Sequence, residues 1–119
     1  MRDMPPTSRQ TTEVTSTFVI DGVPGRLATI ATSNGEVAHV DLRAGTHNST
    51  LAGLTDALST AITTALRAGA PPAFVDAFRR TRYVPAGATG DPHVPYATSL
   101  GDYLAQRLHH NHPDGQQRP

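Results

Sequence analysis

The sequence predicts a small α+β domain, in which a three-stranded antiparallel β-meander is followed by three helices packed on one face of the sheet (β-β-β-α-α-α). Three observations lead to this prediction. β-Branched stretches with partial alternation occupy residues 14–42, an Asn-Gly dipeptide separates two of them, and an apolar stripe with helical spacing runs through residues 49–68. The 119 residues suffice for one domain with one core.

The predicted strands cover residues 14–20, 26–32 and 36–42. Turn residues separate the first two, and Asn34-Gly35, the strongest short signal for a β-hairpin, separates the second from the third. Strands joined in this way pair antiparallel, so a meander is expected. Around a single domain at 13–110, the polar and proline-rich ends predict a disordered leader at 1–12 and a disordered tail at 111–119.

The longest helical pattern lies at residues 49–68. Asn48, Ser49 and Thr50 are residue types that cap helix N-termini, and Gly69 stands where a left-handed C-cap is expected. The residues expected to face the core recur at spacings of three and four, namely Leu51, Leu54, Leu58, Ile62, Ala65 and Leu66.

Two further helices are predicted. Proline is tolerated in a first turn, so Pro71-Pro72 starts a short helix at 72–80 that turns Phe74, Val75 and Phe78 inward. Residues 83–95 contain three prolines and two glycines and predict an irregular loop. The last helix is expected at 96–109, where apolar residues again recur at helical spacing.

The composition argues against several classes of function. A formal net charge of zero argues against a nucleic-acid binder, which normally carries a basic excess. The absence of cysteine excludes disulfides, thiolate metal sites and thiol chemistry. No apolar run approaches a membrane span and the N-terminus has no hydrophobic signal core, so a cytoplasmic protein without a membrane role is expected. A domain of this size is only marginally stable alone, which favours a homo-oligomer.

Several motifs in the second half together resemble a known family. They agree in order and spacing across about half of the chain: STLAGL (49–54), GAP (69–71), TRY (81–83), PAG (85–87), TGDP (89–92), ATS (97–99) and DY (102–103). This set resembles the C-terminal accessory region of cobalamin-dependent (class II) ribonucleotide reductases, the region grouped as the TSCPD domain family.

The departures from that family are also informative. The family name comes from a Thr-Ser-Cys-Pro-Asp motif, whereas residues 98–102 here read TSLGD. The reductase itself needs a large barrel domain, active-site cysteines and a cobalamin site. The resemblance therefore implies a stand-alone, cysteine-free relative of the accessory domain: a non-catalytic accessory, regulatory or oligomerising module without a cofactor of its own, acting with a reductase or another protein partner.

The first candidate site is the loop that holds Arg82, Thr89, Asp91 and His93. These side chains could line a pocket for a nucleotide or another anion, with glycines that allow close backbone approach. Nucleotide is the ligand that the resemblance suggests. The alternative is structural, in which Arg82 fixes the loop by pairing with Asp91 or with a carbonyl group.

A second candidate is the N-terminus of the long helix. Ser49 and Thr50 lie where free N–H groups could bind an anion, and simple capping is the alternative.

No motif identifies a metal site or a catalytic centre. The six histidines lack the HExxH spacing of zinc enzymes, no hydroxyl stands in a GxSxG setting, and neither a Walker loop nor GxGxxG occurs. No metal ligand is therefore predicted, and a small enzyme of unknown reaction is the third hypothesis, after an interaction module and a small-ligand binder.

Overall fold

A computed structural model describes residues 11–111. The chain forms three long strands, a long helix, a 3-10 helix, a short hairpin and a last helix: β1 Thr11–Ile20, β2 Val23–Thr32, β3 Val37–Ala44, α1 Thr50–Arg67, the 3-10 helix Pro72–Phe78, β4 Gly87–Asp91, β5 Val94–Ala97 and α2 Leu100–Asn111. The α+β class is confirmed. The predicted disordered ends lie outside the described residues, except that Thr11 and Thr12 belong to β1 and Asn111 to α2.

The β-meander is confirmed, with strand order β1-β2-β3 and antiparallel pairing throughout. Asp21 and Gly22 alone form the first turn. Both have positive φ, as a tight two-residue hairpin turn requires. Gly25, predicted as a turn residue, lies inside β2 opposite Phe18, where a Cβ would stand 2.3 Å from the phenyl Cζ. The missing side chain at Gly25 therefore makes room for the Phe18 ring.

The predicted inward face of α1 is partly wrong. Ile62 and Leu66 are buried as expected, but Leu54 is 62% exposed, and Thr55, Ser59 and Thr63 are buried in its place. The reason is the position of the helix beside β3, the edge strand of the sheet. An edge strand offers unpaired N–H and C=O groups, and hydroxyl side chains can bond them where apolar side chains cannot.

The contact between α1 and β3 is a row of hydrogen bonds. Ser59 Oγ accepts from Leu42 N at 2.8 Å and approaches Leu42 O at 3.2 Å, while Thr63 Oγ1 lies 3.1 Å from both N and O of Val40. Advancing four residues along a helix covers about 6 Å, and retreating two residues along a strand covers about 6.7 Å. The two periods match, so α1 runs antiparallel along the edge of β3.

The second half departs further from the prediction. The segment predicted as a helix at 72–80 is a 3-10 helix, and the predicted loop contains the antiparallel hairpin β4–β5, a second sheet. Two α-helices, rather than three, follow β3 in the described chain. The last helix begins at Leu100 because Ser99 caps it, whereas Tyr96 and Ala97, predicted as helical, pair with β4. The hairpin was not predicted because Pro92 and Pro95 are typical of a loop.

One apolar core joins the meander, α1, the 3-10 helix, β5 and α2. It includes Phe18, Ile20 and Leu27 from β1 and β2, and further buried members come from the other elements, among them Leu42, Ile62, Val75, Val94, Leu100, Leu104 and Leu108. None of the described helices is long and apolar enough to cross a membrane. Because α2 lies in this core, the side chains near its start hold fixed positions.

Candidate functional site

The residues of the family motif form the start of α2. Ser99 caps the helix, since its Oγ accepts from Asp102 N at 2.9 Å and lies 2.7 Å from the Thr81 hydroxyl. Thr98 extends this contact, because its hydroxyl donates to the Thr81 carbonyl at 2.7 Å and its carbonyl accepts from Tyr83 N at 3.1 Å. The motif thus fixes the beginning of α2 to the segment that precedes β4.

Asp102 is the centre of this contact. Its Oδ1 accepts from Arg80 N at 2.8 Å, and its Oδ2 accepts from Thr98 N at 3.0 Å and from Gln106 Nε2 at 2.9 Å. Burial acts to raise the pKa of Asp102, but these hydrogen bonds outweigh burial and hold the pKa below its usual value. The carboxylate is therefore an ionised acceptor for the protein's own donors.

The two positions at which this chain departs from the motif, Leu100 and Gly101, also make packing contacts. Leu100, where the family motif has cysteine, is 2% exposed and belongs to the core. Gly101 N donates to Tyr83 Oη at 2.8 Å, and a Cβ on Gly101 would stand 3.1 Å from that oxygen. A proline, which the family motif has here, would lack this N–H. In this chain the motif positions make structural contacts.

A buried polar network links β1, β4 and α2. Tyr103 Oη donates to Asp91 Oδ2 at 2.7 Å and lies 2.9 Å from Ser16 Oγ, while the Tyr103 ring stands 4.6 Å from the Phe18 ring. Burial raises the pKa of Tyr103, and the hydrogen bond to Asp91 raises it further. Tyr103 thus remains a neutral donor at physiological pH.

Arg107 completes the network from the next turn of α2. Its side chain is 8% exposed, and Nε lies 3.6 Å from Asp91 Oδ2. Its Nε and Nη1 are buried without a hydrogen-bond partner in the described chain. Burial acts to raise the pKa of Asp91, but the bonds from Tyr103 and His93 N, together with the Arg107 charge, keep it below its usual value. Asp91 is therefore a buried carboxylate paired with a buried cation.

Three of the four predicted loop residues meet in the β4–β5 hairpin. Thr89 is fully buried: its hydroxyl donates to the Val94 carbonyl and accepts from Asp91 N at 3.0 Å. His93 N donates to Asp91 Oδ1 at 2.9 Å, and the exposed His93 ring stacks on His110 with centroids 4.3 Å apart. The polar groups of Thr89 and Asp91 therefore bond within the protein and shape the hairpin.

The other predicted residues lie elsewhere. Arg82 is exposed, and Asp91 pairs with Arg107 instead of with Arg82. Ser49 caps α1, with its Oγ accepting from Ala52 N at 3.1 Å, while Thr50 lies exposed on the first turn. The structure thus does not bring Arg82, Ser49 and Thr50 together with the hairpin residues.

An apolar surface covers the side of the molecule where Arg82 lies. Four of its side chains are large and well exposed: Leu54 62%, Tyr83 47%, Val84 80% and Tyr96 61%. They line two adjoining shallow grooves of about 390 and 380 Å³, which share Val84 and also include Leu51 and Pro85. We call this set the apolar surface: Leu51, Leu54, Tyr83, Val84, Pro85 and Tyr96. The helical periodicity predicted that Leu51 and Leu54 face the core; Leu51 is partly buried and packs against the core, whereas Leu54 is exposed.

A polar groove of about 340 Å³ lies between β3 and α1 and was not predicted. Alternate residues of β3 form one wall, and α1 residues at helical spacing form the other: His39, Asp41 and Arg43 face Asp56, Thr60, Thr64 and Arg67. We call it the β3–α1 groove. The signal for this groove in the sequence is a pair of hydroxyl repeats at a spacing of four in α1, Ser59 with Thr63 and Thr60 with Thr64.

No group of three or more histidine, aspartate and glutamate side chains within residues 11–111 is arranged to hold a metal ion.

The comparisons with known proteins agree on one region. A sequence model of the TSCPD domain matches residues 4–112. Proteins named vitamin B12-dependent ribonucleotide reductase from Streptomyces coelicolor and Streptantibioticus cattleyicolor are each 35% identical over 96 residues, or 80% of this chain. One from Rhodopirellula baltica is 31% identical over 108 residues, or 90% of this chain. The chain spans only 10% to 16% of these relatives' own lengths. No solved structure gives a significant match.

Proposed function

Because the chain belongs to the TSCPD domain family, as its motifs predicted, we propose that it is a non-catalytic interaction module that binds a vitamin B12-dependent ribonucleotide reductase in the cytoplasm through its apolar surface. The observation that carries the proposal is the clustering of Leu54, Tyr83, Val84 and Tyr96, four of the large hydrophobic side chains exposed in the described chain. Contiguous apolar patches on small proteins mark interaction sites.

The choice of partner rests on the relatives. In each of them the matched region is a small part of a much longer chain that is named as a reductase. The same domain therefore has a large protein covalently beside it in those relatives, and an apolar surface on the domain suits packing against such a neighbour. A second copy of this chain is the competing occupant.

The non-catalytic part of the proposal is supported by how the motif residues are engaged. The Ser99 hydroxyl caps α2, the Asp102 carboxylate accepts three hydrogen bonds, and Thr89 bonds within the hairpin. A nucleophile or general base needs a free position within reach of a substrate. These groups instead hold the fold together.

The test is a charge placed on the apolar surface. Val84→Asp, at a residue that is 80% exposed, should leave the fold intact and weaken binding to a purified reductase of the Streptomyces type about thirtyfold, as expected for a central apolar contact. Binding is measured by biolayer interferometry. Val19→Asp is the matched control, because Val19 is 55% exposed but lies outside the apolar surface.

Three results would contradict the proposal. The first is an absence of reductase binding, and the second is an equal loss of binding in both variants. The third is self-association of the chain, seen by analytical ultracentrifugation and abolished by Val84→Asp, which would assign the apolar surface to a homo-oligomer.

The nucleotide or anion binder predicted around Arg82, Thr89, Asp91 and His93, with Ser49 and Thr50 as a second location, has less support. Its polar groups are divided between the interior of the hairpin, the α1 cap and the apolar surface. Support for a small ligand comes from a different place in the molecule.

A further inference from the structure

We propose that the β3–α1 groove binds a small hydroxylated phosphate ester, with the phosphate at the Arg67 end and the hydroxyl groups at the Asp56 end. The groove has a volume of about 340 Å³, which suits a small molecule. Its floor is rigid, because Ser59 and Thr63 on α1 are bonded to the backbone of Leu42 and Val40.

The register between β3 and α1 determines which residues lie at each end of the groove. Ser59 bonds Leu42 and Thr63 bonds Val40, so the helix advances as the strand retreats. A further step of four helix residues and two strand residues puts Arg67 level with Ala38, the neighbour of His39. The same step in the other direction puts Thr55 level with Ala44, so that Asp56 lies near Arg43. The hydrogen bond to Asp41 is the main cause that raises the pKa of Arg43, and a smaller electrostatic effect of Asp56 in the same direction agrees with this placement.

The two ends differ in charge. At the Asp56 end, Arg43 already has a carboxylate partner, because its Nε donates to Asp41 Oδ1 at 2.9 Å, and Asp41 Oδ2 also lies 3.9 Å from Arg26 Nη2. Asp56 itself forms no ion pair with a described residue. This end therefore offers a free carboxylate, which accepts hydrogen bonds from hydroxyl groups.

At the other end, Arg67 is exposed and has no carboxylate partner among residues 11–111. Thr64 lies three residues before it on the helix, and Thr60 one turn earlier, so their side chains share one face. Both threonines line the groove. A guanidinium fork beside hydroxyl donors is suited to the oxygens of a phosphate.

His39 adds an independent observation on the opposite wall. Its ring lines the groove, and its Nδ1 is buried without a hydrogen-bond partner in the described chain. Buried polar atoms are normally satisfied, and an exception points to a water, an ion or a ligand that completes the site. Among the β3 residues that line the groove, His39 comes first along the strand, and because α1 runs antiparallel to β3 this is the Arg67 side.

The experiment is an NMR titration of the ¹⁵N-labelled chain with ribose 5-phosphate, inorganic phosphate and ribose. Ribose 5-phosphate should give saturable shifts at the amides of Thr60, Thr64 and Arg67, phosphate weaker shifts at the same amides, and ribose none. Arg67→Ala should weaken both phosphate-bearing probes about tenfold. Arg79→Ala, which removes an exposed arginine directly after the 3-10 helix, should change neither affinity.

Asp56→Ala tests the orientation. It should weaken ribose 5-phosphate and leave inorganic phosphate unchanged, because only the sugar reaches the carboxylate. The proposal is overturned by an absence of saturable shifts at millimolar probe, by shifts that map outside the groove, or by equal effects of Arg67→Ala and Arg79→Ala. Equal loss of both probes in Asp56→Ala would overturn the assignment of the two ends. All three residues are exposed, and circular dichroism verifies that each variant is folded.

Discussion

Tyr103 is the residue at which the meander, the hairpin and the last helix meet. Its ring packs against Phe18 of β1, and its hydroxyl joins Ser16 of β1 to Asp91 of β4. When such a buried hydroxyl is removed, its two partners lose a hydrogen bond and cannot replace it with one to water. The loss of stability comes chiefly from these unsatisfied partners.

Tyr103→Phe therefore tests the network while keeping the ring. The variant leaves Asp91 Oδ2 and the Ser16 hydroxyl without their common partner, and the free energy of unfolding should fall by about 1–3 kcal/mol. Urea denaturation followed by circular dichroism measures it. Tyr96→Phe, at a residue that is 61% exposed, should change stability by no more than about 0.5 kcal/mol. Equal effects of the two substitutions would show that the buried network adds nothing.

The sequence predicted part of the polar cluster around the hairpin but not all of its partners. The sequence indicated that Thr89, Asp91 and His93 act together, and the structure brings them together in one hairpin. It could not show that Asp91 pairs with Arg107, because that pair depends on how α2 lies against β4. Arg107 reads as a solvated helix residue from its neighbours in sequence alone.

At the scale of elements, the α1–β3 contact is built from hydroxyl groups. Ser59 and Thr63 each lie within hydrogen-bond distance of the N and the O of one strand residue, at spacings that suit both the helix and the strand. A helix that covered this edge with leucine would leave those backbone groups unsatisfied.

Ser59→Ala and Thr63→Val should each lower the free energy of unfolding by about 1–3 kcal/mol, because the first leaves the buried Leu42 N–H without its acceptor and the second leaves the buried Val40 N–H without its acceptor. Hydrogen exchange should accelerate at the Leu42 amide in the first variant and at the Val40 amide in the second. Thr60→Ala, one residue away on the exposed side, is the control and should leave both amides protected. Unchanged exchange at Leu42 and Val40 would contradict the hydrogen-bonded edge.

The meander and α1 were predictable because their signals are local: alternation, tight-turn residues and helical periodicity. The inward face of α1 was not, since apolar periodicity assumes packing against an apolar surface, whereas this helix lies against a polar strand edge. The hairpin β4–β5 was missed because Pro92 and Pro95 imply a loop, yet Pro95 occupies a strand position with its ring exposed.

On the scale of the whole molecule, two buried carboxylates hold distant parts of the chain together. Asp91 connects the hairpin to α2, and Asp102 connects α2 to the segment that follows the 3-10 helix. In both, hydrogen bonds to the ionised form overcome burial and lower the pKa in the folded state. Protonation of these two carboxylates is therefore expected to lower the stability of the whole domain.

Stability should fall on acidification. A carboxyl group whose pKa is lower in the folded chain contributes fully above its unfolded pKa of about 3.9. That contribution disappears as the pH falls through the folded pKa. Urea unfolding measured from about pH 6 to about pH 2 should show this decline, and Asp91→Asn with Asp102→Asn should flatten it. Asp76→Asn, an exposed carboxylate on the 3-10 helix, should not. Stability that is constant across the acid range would refute this linkage.

The row of hydrogen bonds between α1 and β3 also affects whether the protein aggregates at high concentration. A strand at the border of a sheet can recruit a strand from another molecule, and this is a common start of aggregation. On the β3 side, the backbone groups of Val40 and Leu42 are already occupied by α1. Intermolecular growth of the meander through these groups would first require the long helix to detach, so the helix protects the chain against fibril-like pairing on that side.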